Sequence, residues 1–250
     1  AVKGAKGSCP SCGSALVARC GETNVNHWAH KGSRNCDPWW ENETDWHRSW
    51  KDNFPKEWQE IIHTDKESGE KHIADVKTDS GWVLEFQHSH INPEERFSRN
   101  SFYPKLVWVI DGVRRKKDKP NFHRTIEENS IGIDVPRLKR IIKPDDCRLI
   151  KEWHERNAFV FFDFQDVDII WFLYPKTTDK EAYLCPITRA EFVELHNDNK
   201  FDGLVENIIS PFIAELEKVE KTKVEIEESR RRESLSRVNS LIYGKRSRRL

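Results

Sequence analysis

The sequence predicts a mixed α+β / α/β protein: a small metal-stapled module, an α-β-β-β-α-β core, and an α+β extension ending in a long helix. Three observations carry this. Four of the six cysteines fall in the first 36 residues, among Gly and His rather than periodic apolar positions. From 57 to 112, strand-like runs are punctuated by turn and helix-start residues in a definite order. Leu204, Ile208, Phe212, Leu216 and Val219 then share one stripe of a helical pattern over 203–228.

At 250 residues the chain is long enough for one large domain or two smaller ones. Ten Trp and an aromatic fraction of 11% exclude a disordered chain despite 34% charged residues. Lys plus Arg equals Asp plus Glu at 42 each, so any case for nucleic acid must rest on local patches. No apolar run nears the roughly 18 residues of a membrane span, and no apolar leader core is visible at the N-terminus. The expectation is a soluble, cytoplasmic protein with no membrane partner. The expected divisions are a zinc-binding module at 1–40, a core at 41–124, an α+β domain at 125–228 and a basic tail at 229–250.

In the first module, Cys9-Pro-Ser-Cys12 and His27-Trp-Ala-His30 supply two thiolates and two imidazoles, a full tetrahedral Zn²⁺ shell. Cys36 is the alternative to one histidine. A short segment without a large core needs such a structural staple. Trp46, Trp50 and Phe54 next recur at helical spacing until Pro55 ends the run. Strands follow at 57–65 and 72–78, a turn at Asp79-Ser80-Gly81, and a third strand at 82–89. Asn92 caps a helix with Pro93 at its first position, and "KLVWVIDG" (105–112) reads as a strand buried on both faces. Beyond it come a basic loop at 113–124, a helix near 145–156, strands near 158–163, 168–174 and 182–187, and helices at 188–198 and 203–228.

The chemistry centres on "GWVLEFQHSH" (81–90), where Glu85 and Gln87 sit two apart and so share a face of their strand. Hairpin pairing across the 79–81 turn sets Asp75 opposite Glu85. Facing carboxylates repel unless a cation lies between them, and Mg²⁺ or Mn²⁺ suits two hard oxygen donors and retains water. Glu43 and His47 share one face of the first helix, one turn apart, and Lys51 continues the stripe. The alternative is that Asp75, Glu85 and Gln87 are solvated polar residues of an edge strand.

The run 72–112 and the preceding "HWAH…C…E-x3-H-x3-K" at 27–51 resemble the CoiA-like competence protein family, which is assigned to the PD-(D/E)XK restriction-endonuclease-like nuclease superfamily. The resemblance spans about 9–112, including Asp75, the Glu85-x-Gln87 triplet and the R-x3-Y of Arg99 and Tyr103. It implies a restriction-endonuclease-like core, Asp75 and Glu85 as Mg²⁺ or Mn²⁺ ligands, the Phe86 carbonyl as a third ligand, and Gln87 where the superfamily has lysine. Glu43 matches the helix acid of many members.

The implied activity is metal-dependent hydrolysis of DNA phosphodiesters, in DNA uptake, recombination or defence against foreign DNA, with catalytic residues Asp75, Glu85, Gln87, Glu43 and His47. Lys51, Arg99, Arg114, Arg115, Lys116 and Lys117 are the candidate phosphate contacts. The competing reading is a catalytically weak nucleic-acid-binding module on a nuclease-like core. The 203–228 stripe offers a surface for self-association.

Overall fold

The computed structural model describes residues 1–9, 12–21, 26–31, 43–64, 71–133, 135–155, 157, 159–166 and 168–244. The N-terminal module holds a three-stranded sheet, β1 (Lys6–Ser8), β2 (Ala15–Arg19) and β3 (His27–His30), paired in that order. The rest is built on one nine-stranded sheet. Its strands are β4 (Gln59–Thr64), β5 (Lys71–Lys77), β6 (Val83–Gln87), β7 (Leu106–Asp111), β8 (Ser130–Gly132), β9 (Lys139–Ile141), β10 (Phe159–Asp166), β11 (Ile169–Leu173) and β12 (Ala182–Thr188). They lie in the order β4-β5-β6-β7-β10-β11-β12-β9-β8. The pairs β6/β7 and β7/β10 are parallel and the others antiparallel. The sheet therefore runs unbroken across residue 124, joining the two segments that the sequence divides there.

Helices cover both faces, which is why β6 and β7 are buried at every position. Beneath one face lie α2 (Pro93–Phe102), α3 (Asp118–Asn129) and α4 (Arg148–Trp153), packed through Phe122, Ile150 and Trp153 onto Val83, Trp108, Phe162 and Phe164. On the other lie α1 (Asp45–Lys51), α5 (Arg189–Asn197) and α6 (Phe201–Leu204), which pack Trp50, Phe192 and Phe201 onto Leu84, Phe86, Val107 and Phe161. A π-helical turn (Val205–Ile209) leads into α7 (Ser210–Gly244). That helix carries the chain through most of the segment expected as a basic tail. The architecture is mixed α+β with a large sheet and a long C-terminal helix.

Local chemistry explains the punctuation. Thr44 and Asn92 cap α1 and α2, accepting from the amides of His47 and Glu95. Gly81 takes a φ of 86° in the β5–β6 turn, where a side chain would be strained. The second half of the expected basic loop is instead α3: Asp118 and Pro120 sit in its first turn, where an acid and a missing N–H are tolerated, and Phe122 and Thr125 bury one face. Strands β8 and β9, of three residues each, are too short to leave a period in the sequence.

Asp163, on β10, has no exposed surface. Its carboxylate accepts from the indoles of Trp46 and Trp50 at 2.9 Å, from the Gln165 amide at 2.7 Å, and from both ends of the Arg189 guanidinium. The charge is thus paired and saturated with donors, the condition under which a buried carboxylate is tolerated. Next to it, Gly112 donates to the Asp163 carbonyl at 2.8 Å, and a Cβ on Gly112 would lie 2.4 Å from the Phe164 ring.

Two measurements test this packing. Asp163→Leu removes the acceptor of four donor groups and leaves the Arg189 cation unpaired, so urea denaturation should show a loss of about 3–5 kcal/mol. Burial, aided for His154 by Lys176, depresses the pKa of His154 and of His196 to about 4; the Phe192 carbonyl beside His196 opposes the drop without overcoming it. The unfolded chain takes up protons near the ordinary value of about 6.5, before the folded chain does. Stability should therefore fall as pH drops from about 6.5 to about 4, by up to about 3 kcal/mol per histidine. Denaturation midpoints across that range should flatten in the His154→Gln/His196→Gln double variant.

Candidate functional site

Asp75 sits where β5 peels away from β6. The two strands pair at Lys77↔Val83 and Val76↔Leu84, and the pairing ends there. At that point the Asp75 Oδ2 replaces a backbone partner and accepts the Phe86 amide at 2.9 Å. On its other side β5 pairs β4 at Gln59↔Val76 and Ile61↔Ala74, and between them Glu60 adopts a left-handed φ of 54°. An uncommon backbone conformation for a glutamate thus lies across from the aspartate.

Helix α1 covers the fork. His47 Nε2 stands 2.9 Å from Asp75 Oδ2. One turn on, Lys51 is only 5% exposed and lies between Glu43 (2.5 Å) and Glu60 (2.9 Å). Burial opposes the charge of Lys51, but Glu43, Glu60 and Asp75 outweigh it and raise its pKa. Burial likewise opposes ionisation of Asp75. His47, the Phe86 amide and Lys51 more than offset it, holding the carboxyl below its ordinary range.

Glu85 and Gln87 share a face, as their spacing requires, and it is the α2 face. Arg99, 4% exposed, donates to Glu85 at 3.1 Å and to Glu95 at 2.6 Å, with its guanidinium 5.7 Å from the Trp108 ring centre. Gln87 approaches the Ser89 carbonyl and hydroxyl at 3.4 Å. The structure thus gathers Asp75, His47, Glu43 and Lys51 under α1 and engages Glu85 and Gln87 from the side of α2. All three proposed strand residues are enclosed rather than solvated along an edge.

The expected phosphate contacts divide. Lys51 and Arg99 are buried between carboxylates and do not reach outward. Arg115 is held by Glu152 at 2.6 Å and Asp118 at 3.0 Å. Arg114 is half-buried, while Lys116 and Lys117 are exposed beside an open cleft of about 530 Å³ that Asp118, Asp145 and Asp146 also line. Sequence reasoning missed these partners because a pairing such as Arg115 with Glu152 or Lys51 with Glu60 depends on how separate elements are brought together.

In the N-terminal module, Cys9, Cys12 and His30 bring ligand atoms within 4.8 Å of one another, with Cys12 Sγ 3.3 Å from His30 Nε2. Two thiols and an imidazole suit a metal such as zinc. Hydrogen bonds from the Ser14 hydroxyl and amide, helped by His30 and Cys9, lower the Cys12 pKa to about 6 against a small opposing effect of burial. His27 stands outside this group. It and His30 lie three apart on β3, and in a strand such positions face opposite ways. Cys36 lies outside the described residues.

Residues 3–38 match the family model described as competence protein CoiA, N-terminal domain. The match supports the CoiA-like resemblance at the Cys/His module and ends before Asp75. No curated protein and no solved structure matches the chain.

Elemental analysis should find about one zinc per chain, lost in Cys12→Ser and retained in His27→Ala. Chelation should open residues 1–40 to limited proteolysis, because metal binding there is folding energy. The Cys36→Ser protein then decides the fourth ligand.

Proposed function

We propose that this chain is a metal-dependent DNA nuclease whose site lies at the β5–β6 fork, serving a competence-linked process such as DNA uptake. Asp75 carries the reading: a carboxylate kept ionised, placed at a strand fork, and braced by an imidazole and a backbone amide. The α-β-β-β-α-β order with a parallel β6/β7 pair, and the family match at 3–38, agree with it.

The donor chemistry fits Mg²⁺ or Mn²⁺, since Asp75 and Glu85 are hard oxygen ligands and the Phe86 carbonyl lies beside them in sequence. When bound, such an ion would supply Lewis acidity, a more acidic water and charge neutralisation at the phosphate. The protein's own residues do the rest. His47 and Lys51 keep Asp75 ionised, Glu43 and Glu60 fix Lys51, and the Gln87 amide orients water without contributing charge.

Arg99 favours the second reading, a binding module that grips DNA and cleaves weakly. It already neutralises Glu85, so a metal at Glu85 competes with a guanidinium.

Labelled linear, nicked and circular DNA incubated with Mg²⁺, Mn²⁺ or EDTA separates the two. Cleavage should require metal. Asp75→Asn and Glu85→Gln should each lower the rate about a hundredfold or more, while leaving DNA binding intact or tighter. Gln87→Ala should cost less and Glu43→Ala an intermediate amount. Wild-type cleavage by Asp75→Asn sinks the nuclease reading, and binding without cleavage by the wild-type protein establishes the second.

A further inference from the structure

The N-terminal sheet has two unlike faces. Its register pairs Lys6 with Val17, Val17 with Ala29, and Arg19 with His27. The Lys31 amide donates to the Ala15 carbonyl at 2.9 Å, so the β2–β3 ladder runs one residue past β3. Paired residues project to the same side of a sheet, and so do alternate residues of one strand. Lys6, Arg19, His27 and Lys31 therefore share a face, with Val17 and Ala29 as the floor between them. The four are exposed and the floor is half-buried. Trp28 and the metal-group residue His30 occupy the opposite face. A metal held there staples the sheet from behind and leaves the cationic side open.

Charge sets this face apart. The described residues of the first 31 include Lys3, Lys6, Arg19 and Lys31 but neither Asp nor Glu. Among the described residues, no carboxylate pairs with any of these four cations. In the body of the molecule, by contrast, Arg96, Arg99 and Arg115 are each held by an acid. A chain with Lys plus Arg equal to Asp plus Glu at 42 each thus leaves unneutralised charge on its smaller sheet. Neighbouring strands lie about 5 Å apart and alternate residues about 7 Å apart, so Lys6, Arg19 and Lys31 span a patch roughly 15 Å long.

Separated cations on a flat surface suit a polyanion of repeating charge. The rest of the face selects the form of that polyanion. Among the described residues it carries no Phe, Tyr or Trp, so it offers unstacked bases no stacking platform. Trp28 points the other way, with its ring propped 3.5 Å from where a Gly7 Cβ would lie. Val17 and Ala29 are too short to enter a groove and read base edges. Phosphates on the outside of a duplex remain, and these are bound without sequence preference.

We infer that the Lys6–Arg19–Lys31 face of the metal module grips the phosphate backbone of duplex DNA, through residues separate from those of the β5–β6 fork. This rests on the nuclease reading only for the identity of the polyanion, and it gives the module a role besides holding a metal.

The test is fluorescence anisotropy of the full chain on a labelled duplex, with no added Mg²⁺ or Mn²⁺ and no chelator. Wild type is compared with Lys6→Gln/Arg19→Gln/Lys31→Gln, and with Lys218→Gln/Lys221→Gln/Lys223→Gln, which removes equal charge from α7. The module variant should weaken binding about tenfold or more, and its slope of log Kd against log salt should shrink by about 2–3, near 0.9 for each lost contact. The α7 variant should change Kd less than about twofold. Zinc content and protease resistance of residues 1–40 should match wild type in the module variant. If that variant loses zinc, the three single variants take its place, each expected to lower the slope by about one. An unchanged slope, an equal loss in the α7 variant, or no duplex binding by wild type overturns the proposal. A greater loss on single-stranded than on duplex DNA overturns it as well. Cleavage measured in parallel keeps the two readings apart. A wild type that cleaves beside a module variant that binds normally removes the grip alone. A wild type that binds through this face and cleaves with neither metal removes the nuclease reading alone.

Discussion

The Asp163 carboxylate is the constraint on which the rest of the molecule depends. It lies inside the sheet with no contact with water, and its side-chain donors come from two helices that share no sequence neighbourhood. Trp46 and Trp50 belong to α1, and Arg189 begins α5. A buried charge tolerates no slack, since losing one donor exposes the full cost of desolvation. The two helices are thereby fixed at one height over β10. Because α1 is fixed, His47 stands over Asp75 and Lys51 lies between its two glutamates. The geometry of the candidate site is thus inherited from a carboxylate more than 80 residues from Asp75 in sequence.

That dependence also explains what could be read from the sequence. Strands β5, β6 and β7 and helix α2 announce themselves through Gly81, Asn92, Pro93 and the Asp111-Gly112 step, all local devices. The hairpin register at the turn follows from its residues, with Lys77 paired to Val83 and Val76 to Leu84. What stayed hidden is non-local. Nothing near Lys51 says that Glu60 will turn back on it through a left-handed residue. Nothing near Arg99 says that Glu85 will occupy it. A basic residue looks the same in a sequence whether a phosphate or a buried acid awaits it. The His27/His30 pair shows a different loss, because its fitness as a metal pair depends on whether the segment is a strand or a turn.

The balanced composition acquires a structural meaning. Many of the cations are committed to internal pairs: Arg96 to Glu155, Arg99 to Glu85 and Glu95, Lys105 to Asp202, Arg115 to Glu152, Lys119 to Asp166. Several of these tie a helix to a distant element, so charge here serves assembly more than surface potential. Lys116 and Lys117 on the 113–117 loop are exposed beside these committed cations, which total charge conceals.

The parallel pairing of β7 with β10 has a kinetic side. Trp108 and Val160 are partners about fifty residues apart, with α3, β8, β9 and α4 between them. Closing so long a loop costs entropy before any contact repays it, whereas the β4–β5–β6 hairpins close over a few residues. The chain emerging during synthesis can thus assemble its first strands early and hold β7 as a bare apolar edge until β10 arrives. An edge of that kind is a template for pairing with another copy, and chaperone dependence or misassembly would concentrate in the interval before the sheet is joined.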